Sequence, residues 1–257
     1  FYLLNEKGSL GDALDAGLNA KGEVTFKFDK AGTYTITANG FVYDKTMDDS
    51  CPIVAPSCTV TVTDPTATVN VTISNAGAIA TDKDGGLIAH RPLTVVGKSI
   101  TVGDVLTAAH KAWHPDGAAA YVTEETQYGA SITTFWGEKT SAVGYYVNDV
   151  MSMGLTDSVS DGDNVTAYIY TDKENYSDAH AYFDAAAAEA KTGEGVSLTL
   201  KKDTFGADYS VIPVPVANAV ITVDGKDTAN ITNSKGVVTL VFNAAGTYVV
   251  SARTQDG

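Results

Sequence analysis

The 257-residue chain carries 31 acidic against 17 basic residues, a formal charge of -14, and is 44% apolar. That acidity repels nucleic acid and anionic lipid surfaces at long range, and no run approaches the roughly 18 apolar residues of a membrane span, so neither nucleic-acid binding nor membrane insertion of this segment is expected. Short alternating apolar runs broken by Gly, Asn or Asp point to a mainly β fold with helix as the minority state.

From the N-terminal side, Lys21 to Ala38 holds two alternating runs, Val24, Phe26, Phe28 and then Tyr34, Ile36, Ala38. Such period-2 spacing predicts two strands sharing one buried face, with Lys30-Ala-Gly-Thr33 as the turn of a hairpin. Cys51 and Cys58 follow, without the second cysteine pair or nearby histidine of a metal site. They predict a disulfide closing a short loop, implying an oxidising, extracellular setting and contributing on the order of 2 to 3 kcal/mol; two unrelated free thiols are the alternative. Thr59 to Thr63 then reads as a closing strand, ending a module at residue 63.

A new pattern starts at Thr68-Val-Asn-Val-Thr-Ile73. After a polar turn, Thr81 to Gly86, comes an apolar run at Leu93 to Val96 and then the one confident helix. Thr101 caps it, Asp104 completes a capping box, Val102, Val105, Leu106, Ala109 and Trp113 share a face, and Pro115 ends it. Ile132 to Trp136, Gly144 to Val147 and Asn164 to Tyr170 read as strands, the last alternating Val165, Ala167, Ile169 against Thr166, Tyr168, Tyr170. This order suggests a mixed sheet wrapped on one helix.

Beyond it, Asp184 to Lys191 is a strong helix former by propensity, but its position favours the first strand of a further module. Runs at Val196 to Leu200, Tyr209 to Ile212 and Ala219 to Val223 continue that module. Lys235 to Ala252 then aligns without a gap on Lys21 to Ala38 at a constant offset of 214 residues. Val238, Leu240, Phe242, Tyr248, Val250 and Ala252 preserve the apolar parity, while Glu23 becomes Val237 and Lys27 becomes Val241 on the opposite face. Each copy is incomplete: the first lacks upstream strands, the second the closing one. Residues 185 to 257 joined to 44 to 63 make 93 residues, the size of an immunoglobulin-like sandwich.

The shared pattern GxVTLxFxxAGTYxVSA, with the cysteine loop and the CTVTV strand, resembles the bacterial immunoglobulin-like repeats of Gram-positive surface proteins over residues 1 to 63 and about 185 to 257. The stretches TVGDVL, ITTFWG, GYYVND and VSDGDNVTAYIY, within about 67 to 175, resemble the domain at the C-terminal end of transcobalamin and intrinsic factor, which recurs in bacterial surface proteins. That resemblance implies a β-grasp and, in the transcobalamins, one wall of a corrinoid site. The expected architecture is therefore mainly β, with immunoglobulin-like sandwich modules at 1–63 and 184–257 flanking an α+β, β-grasp-like domain at 67–183.

Chemistry is sparse. His110 and His114 have the i, i+4 spacing of two metal ligands, but without the carboxylate of a zinc protease they read as helix-end polarity. No nucleophile elbow, phosphate loop or Cys beside His appears, and no enzyme is expected. Asp82, Asp84 and Gly85, and Asp161-Gly-Asp163, are turn signals first and incomplete calcium loops second. No cofactor and no metal site is assigned; cobalamin, through the resemblance, and calcium are the two that come nearest. Aromatics are the clue to binding. Trp136, Tyr146, Asn148, Tyr168 and Tyr170 are the candidate ligand-facing residues: alternation turns about half of the strand aromatics away from the helix, with Tyr146 and Asn148 sharing a parity and Tyr168 and Tyr170 another; the competing reading packs them in the core or under a neighbouring module. The expectation is a non-catalytic, extracellular repeat segment of a cell-surface adhesin or stalk of a Gram-positive-type bacterium. Its partners are neighbouring copies of the repeat protein and a host or bacterial surface protein or glycan. The alternative is a small-molecule binder, corrinoid or glycan, and a purely structural stalk is favoured if the aromatic face is buried.

Overall fold

The structure, a computed structural model, describes residues 1–4, 10–14, 17–38, 41–43, 50–52, 56–75, 77–208 and 210–254, with backbone only for 41–43 and 50–52. The protein divides into two compact units, Phe1–Pro65 and Thr66–Gly257.

The first unit contains β1 (Tyr2–Leu4), β2 (Leu10–Ala13), β3 (Gly32–Thr37), β4 (Phe41–Tyr43), β5 (Ser50–Pro52) and β6 (Ser57–Val62). An antiparallel sheet runs β2-β1-β3-β6, and β4 pairs with β5 separately. β6 is the expected closing strand, paired with β3 from Gly32 opposite Val62 to Thr37 opposite Ser57. Residues 23–28 join no ladder, yet Val24, Phe26 and Phe28 remain half-buried while their neighbours are exposed. Phe26 meets Phe1 edge-on at 5.4 Å. The predicted Cys51–Cys58 bridge falls partly outside the described residues. Cys58 is exposed and free, its Sγ 3.9 Å from the carbonyl of Thr59, and nothing is described of the Cys51 side chain.

The second unit opens with β7 (Thr66–Asn75), β8 (Ala78–Ile79), β9 (Arg91–Val96), α1 (Val102–Trp113), β10 (Val122–Thr126), β11 (Gly129–Phe135), β12 (Glu138–Lys139), β13 (Val143–Val147), β14 (Val150–Met151) and β15 (Asn164–Ile169). The mixed sheet has β7 at its centre, parallel to β15 and antiparallel to β9, with β13 and β14 beyond β15. The helix forms as its sequence dictates. Thr101 accepts from the Asp104 N–H, and the Asp104 carboxylate accepts from the Thr101 N–H, closing the capping box. Val102, Val105, Leu106, Ala109 and Trp113 are all buried in one cluster with Val69, Val71 and Ile73 of β7, Val165, Ala167 and Ile169 of β15, and Ile132 and Phe135 of the second sheet, β10-β11-β12.

The chain continues through β16 (Ala181–Phe183), β17 (Gly195–Phe205), β18 (Val211–Pro215), β19 (Val220–Val223), β20 (Lys226–Ile231), β21 (Val237–Val241) and β22 (Val250–Arg253). One sheet holds β16, β17, β18 and β21, the other runs β20-β19-β22. Their facing side chains meet in a second core of Leu198, Ile221, Val238 and Leu240, flanked by Val196, Phe242, Val250 and Ala252. β16 lies before the expected module start at 184 but pairs with β17, so this module's ladder begins at Ala181. Asp184 to Lys191, expected as a strand, is neither strand nor helix.

The expected hairpin within each repeat copy is also corrected. β21 pairs with β17 and β22 pairs with β19, so the link between the two runs crosses from one sheet to the other. Tyr248 is the reason: its Oη donates to the carbonyl of Ala244, 3.0 Å away, and its ring stacks on Phe242 at 4.4 Å and 22°. Anchored four residues back, the link becomes a corner rather than a tight turn. Tyr34 repeats the geometry, donating to the carbonyl of Lys30 at 2.8 Å and stacking on Phe28 at 4.2 Å and 22°. The repeat also reaches further upstream than the sequence match. Asn19 and Asn233 each accept two backbone N–H groups, from Lys21 and Glu23 and from Lys235 and Val237, ahead of left-handed Gly22 and Gly236.

Candidate functional site

β13 and β15 pair with Gly144 opposite Tyr168 and Tyr146 opposite Thr166, and strand alternation turns Tyr146 and Tyr168 away from the face that packs on α1. Gly144 is needed for this: a Cβ there would lie 2.7 Å from Cζ of Tyr168. The tyrosine therefore lies across the glycine of the neighbouring strand.

The aromatic face is covered. Tyr146 is 3% and Tyr168 8% exposed. His180, itself 5% exposed, stacks on Tyr146 with centroids 3.8 Å apart and planes 10° from parallel, and Tyr182 stacks on the other side of the imidazole at 5.2 Å. Tyr168 continues the row to Tyr170 at 5.0 Å and on to Tyr176 at 5.1 Å. His180 Nε2 is 3.1 Å from Asp149 Oδ1, Tyr182 Oη donates to Asp203 Oδ1 at 3.2 Å, and the Asp203 N–H donates to the His180 carbonyl at 2.9 Å, whereas the buried Tyr168 Oη has no hydrogen-bond partner among the described residues. Burial raises the hydroxyl pKa of both Tyr146 and Tyr168, so both stay neutral. Beside the row is a cavity of about 130 Å³ lined by Tyr146, Asp149, Met151, Asp203 and Phe205. It is smaller than the few hundred Å³ of small-molecule sites, and a corrinoid does not fit it.

Of the five sequence candidates, Tyr146, Tyr168 and Tyr170 come together in this row. Asn148 borders it as a structural residue. It and Asp149 form the β13–β14 turn with φ of 50° and 62°, Asn148 Nδ2 donates to Asp163 Oδ1 at 2.8 Å, and its Oδ1 accepts from the Asn164 N–H at 2.9 Å. Trp136 lies elsewhere, at the end of β11, where its backbone N–H donates to His110 Nε2 at 3.0 Å and its ring packs on His110 and His114, each at 5.0 Å. His180, Tyr182 and Asp203 are missed by sequence reasoning. The parity of His180 with Tyr182, two residues apart in an otherwise small-residue stretch, is the signal that points to them.

The other candidates have local partners. His110 is fully buried, with Nδ1 2.6 Å from the Leu106 carbonyl and Nε2 accepting from Trp136, so both nitrogens are used. Burial pushes its pKa down to about 4. His114 Nδ1 accepts from the Asp116 N–H at 3.0 Å. Asp82 accepts from the N–H groups of Asp84 and Gly86 and pairs with Arg91, whose guanidinium holds its pKa near about 2. Asp161 accepts from the Thr68 N–H at 2.7 Å, and Asp163 from the Ser160 N–H at 2.7 Å. What the row offers chemically is stacking and hydrogen bonding between the middle sheet and the β16–β17 sheet. Comparison with family models, with characterised proteins and with solved structures finds no match.

Proposed function

We propose that the chain is a non-catalytic segment of a repetitive extracellular stalk, in which immunoglobulin-like modules alternate with a β-grasp-like module on the surface of a Gram-positive-type bacterium. One observation carries this reading: two copies of one stretch, 214 residues apart, have the same asparagine loop, phenylalanine–tyrosine stack and tyrosine corner on either side of a different module. A tyrosine bonded back to the backbone at an inter-sheet corner, between two facing antiparallel sheets, supports the immunoglobulin-like assignment. A central parallel strand pair, β7 and β15, with one capped helix following β9 and lying between the pair in sequence, supports the β-grasp assignment.

The row from Tyr182 to Tyr170 favours spacer over adhesin. With Tyr146 and Tyr168 buried under His180, the aromatic face serves as a joint that fixes the middle module to the next one, as a load-transmitting rod requires. Neighbouring copies of the repeat are then the principal partners. An antibody raised against the chain tests the reading on intact source cells. The stalk account expects labelling without permeabilisation and a full-length protein carrying further copies at the same spacing. Labelling only after permeabilisation, or a full-length protein with no copy of the pattern beyond these two, contradicts it.

A further inference from the structure

The cavity beside the aromatic row carries charge that the row leaves unused. Two carboxylates line it, Asp149 from the β13–β14 turn and Asp203 from β17, with Tyr146 beside them and Val150, Met151, Phe205 and Val211 making up the rest of the wall. Asp203 is 7% exposed, and a carboxylate so far removed from water needs a cation or a full set of donors. It is only half provided for. Its Oδ1 accepts from Tyr182 Oη, whereas its Oδ2 receives no hydrogen bond among the described residues. Asp149 is similar: its Oδ1 lies 3.1 Å from His180 Nε2, and its Oδ2 has no donor among the described residues. The ion pairs that Lys and Arg make among those residues use Asp82, Glu138 and Asp227 instead. Two open carboxylate oxygens thus belong to residues lining one small cavity, in a chain of formal charge -14.

We propose that this cavity is a socket for the side chain of a lysine on a partner polypeptide. The size fits the tip of a chain and not a whole ligand: about 130 Å³ holds about four atoms of the bulk of a water, at about 30 Å³ each. That is a lysine side chain beyond its Cβ. Its methylenes would lie against Met151, Phe205 and Val211, and its ammonium, which has donors and no acceptor, would meet the open oxygens of Asp149 and Asp203. A guanidinium is bulkier and planar, and exceeds the space. A metal ion is a poorer match, because the wall is mostly apolar and no group of three or more His, Cys, Asp or Glu that could hold one occurs among the described residues. The rim points to a polypeptide over a free amine. Val150, Met151, Phe205 and Val211 are all exposed, and the residues flanking a lysine would cover them, which a small amine cannot do. This inference goes beyond the stalk reading and does not need it, since it uses only the cavity and its lining.

The probe is a capped valine-lysine-valine tripeptide, titrated at constant ionic strength into the isotope-labelled full chain. Beside it stand the same tripeptide with norleucine or arginine in place of lysine, and n-butylammonium as the free amine. Saturable amide shifts at Tyr146, Asp149 to Met151 and Asp203 to Phe205 are expected with the lysine peptide, and binding at least tenfold weaker with each of the other three. No saturable shift up to about 10 mM, well past the millimolar range of weak specific sites, overturns the proposal. So does equal binding of the norleucine or arginine peptide, and n-butylammonium binding as tightly as the lysine peptide overturns the polypeptide source. Asp203→Asn keeps an oxygen for Tyr182 and Asp149→Asn keeps the turn, since Asn accepts positive φ readily; each is expected to weaken the lysine peptide at least tenfold. Asp149→Asn decides alone should Asp203→Asn fail to fold, and undiminished binding to it contradicts the socket.

Discussion

Asn19 to Ala38 and Asn233 to Ala252 are one stretch placed in two settings, and they divide what sequence fixes locally from what a neighbour must supply. The local part is the same in both: the asparagine loop, the left-handed glycine, the stacked Phe–Tyr pair and the tyrosine bonded four residues back. The pairing is reversed. In the first copy the run 23–28 has no ladder and the run from Gly32 does; in the second, Val237–Val241 is laddered on β17 and 246–249 is not. Backbone groups form a ladder only where a partner strand meets them, so identical apolar parity yields strand in one place and irregular chain in the other.

The comparison breaks most severely at the shared glycine. A Cβ on Gly236 would lie 2.4 Å from the Leu200 carbonyl oxygen, whereas one on Gly22 meets nothing within 4 Å; both residues have positive φ, 74° and 78°. Gly236→Ala therefore combines overpacking with left-handed strain, about 3 to 5 kcal/mol, while Gly22→Ala has the strain alone, about 1 to 2 kcal/mol. Chemical denaturation of the two variants measures the difference, and equal costs would mean that the second copy is not packed on β17.

Acid separates the two units next. His110 is buried with a pKa depressed from 6.5 to about 4, so the unfolded state takes up its proton first. Its neutral form contributes fully above about pH 6.5, and about 3 kcal/mol is lost as pH falls towards 4. Monitored by tryptophan fluorescence, which reports Trp113 and Trp136 beside this site, the loss is expected in the second unit and is removed from the pH profile in His110→Gln.

Smaller effects test the sameness of the copies. Asn19→Ala and Asn233→Ala each leave two N–H groups without their acceptor, about 1 to 2 kcal/mol. Tyr34→Phe and Tyr248→Phe each remove one hydrogen bond and keep the ring stack, about 1 kcal/mol. Paired thermal melts check both sets; a cost confined to one copy contradicts a common local geometry.

The helix was the most legible element, because Thr101, Asp104, five periodic apolar residues and Pro115 all act within a few residues of one another. The strands of the middle sheet, and the shared parity of Tyr146 with Asn148 and of Tyr168 with Tyr170, were legible for the same reason. Less was visible where a distant partner decides. The hairpin expected at Lys30 to Thr33 and at Ala244 to Thr247 is a corner, because a tyrosine hydroxyl outcompetes the turn that glycine alone suggests. Asp184 to Lys191 is neither of the two states expected of it; it meets β17 at Asp184, whose N–H donates to the Thr199 carbonyl and whose Oδ1 accepts from the Thr199 N–H, and forms no ladder beyond that. The candidate site was half visible: alternation singled out Tyr146, Tyr168 and Tyr170 within their own strands, but the cover over them comes from His180 and Tyr182, whose shared parity does not reveal the contacts with β13 and β17 that give them this role.

Amide hydrogen exchange on the intact chain tests the central contrast most directly, with no substitution needed. Slow exchange is predicted across Gly32 to Thr37 and Val237 to Val241, and fast exchange across residues 24–28 and 246–248. Matching protection of the two copies, position by position at the 214-residue offset, would contradict the claim that neighbouring strands rather than local sequence decide where this repeat forms its ladders.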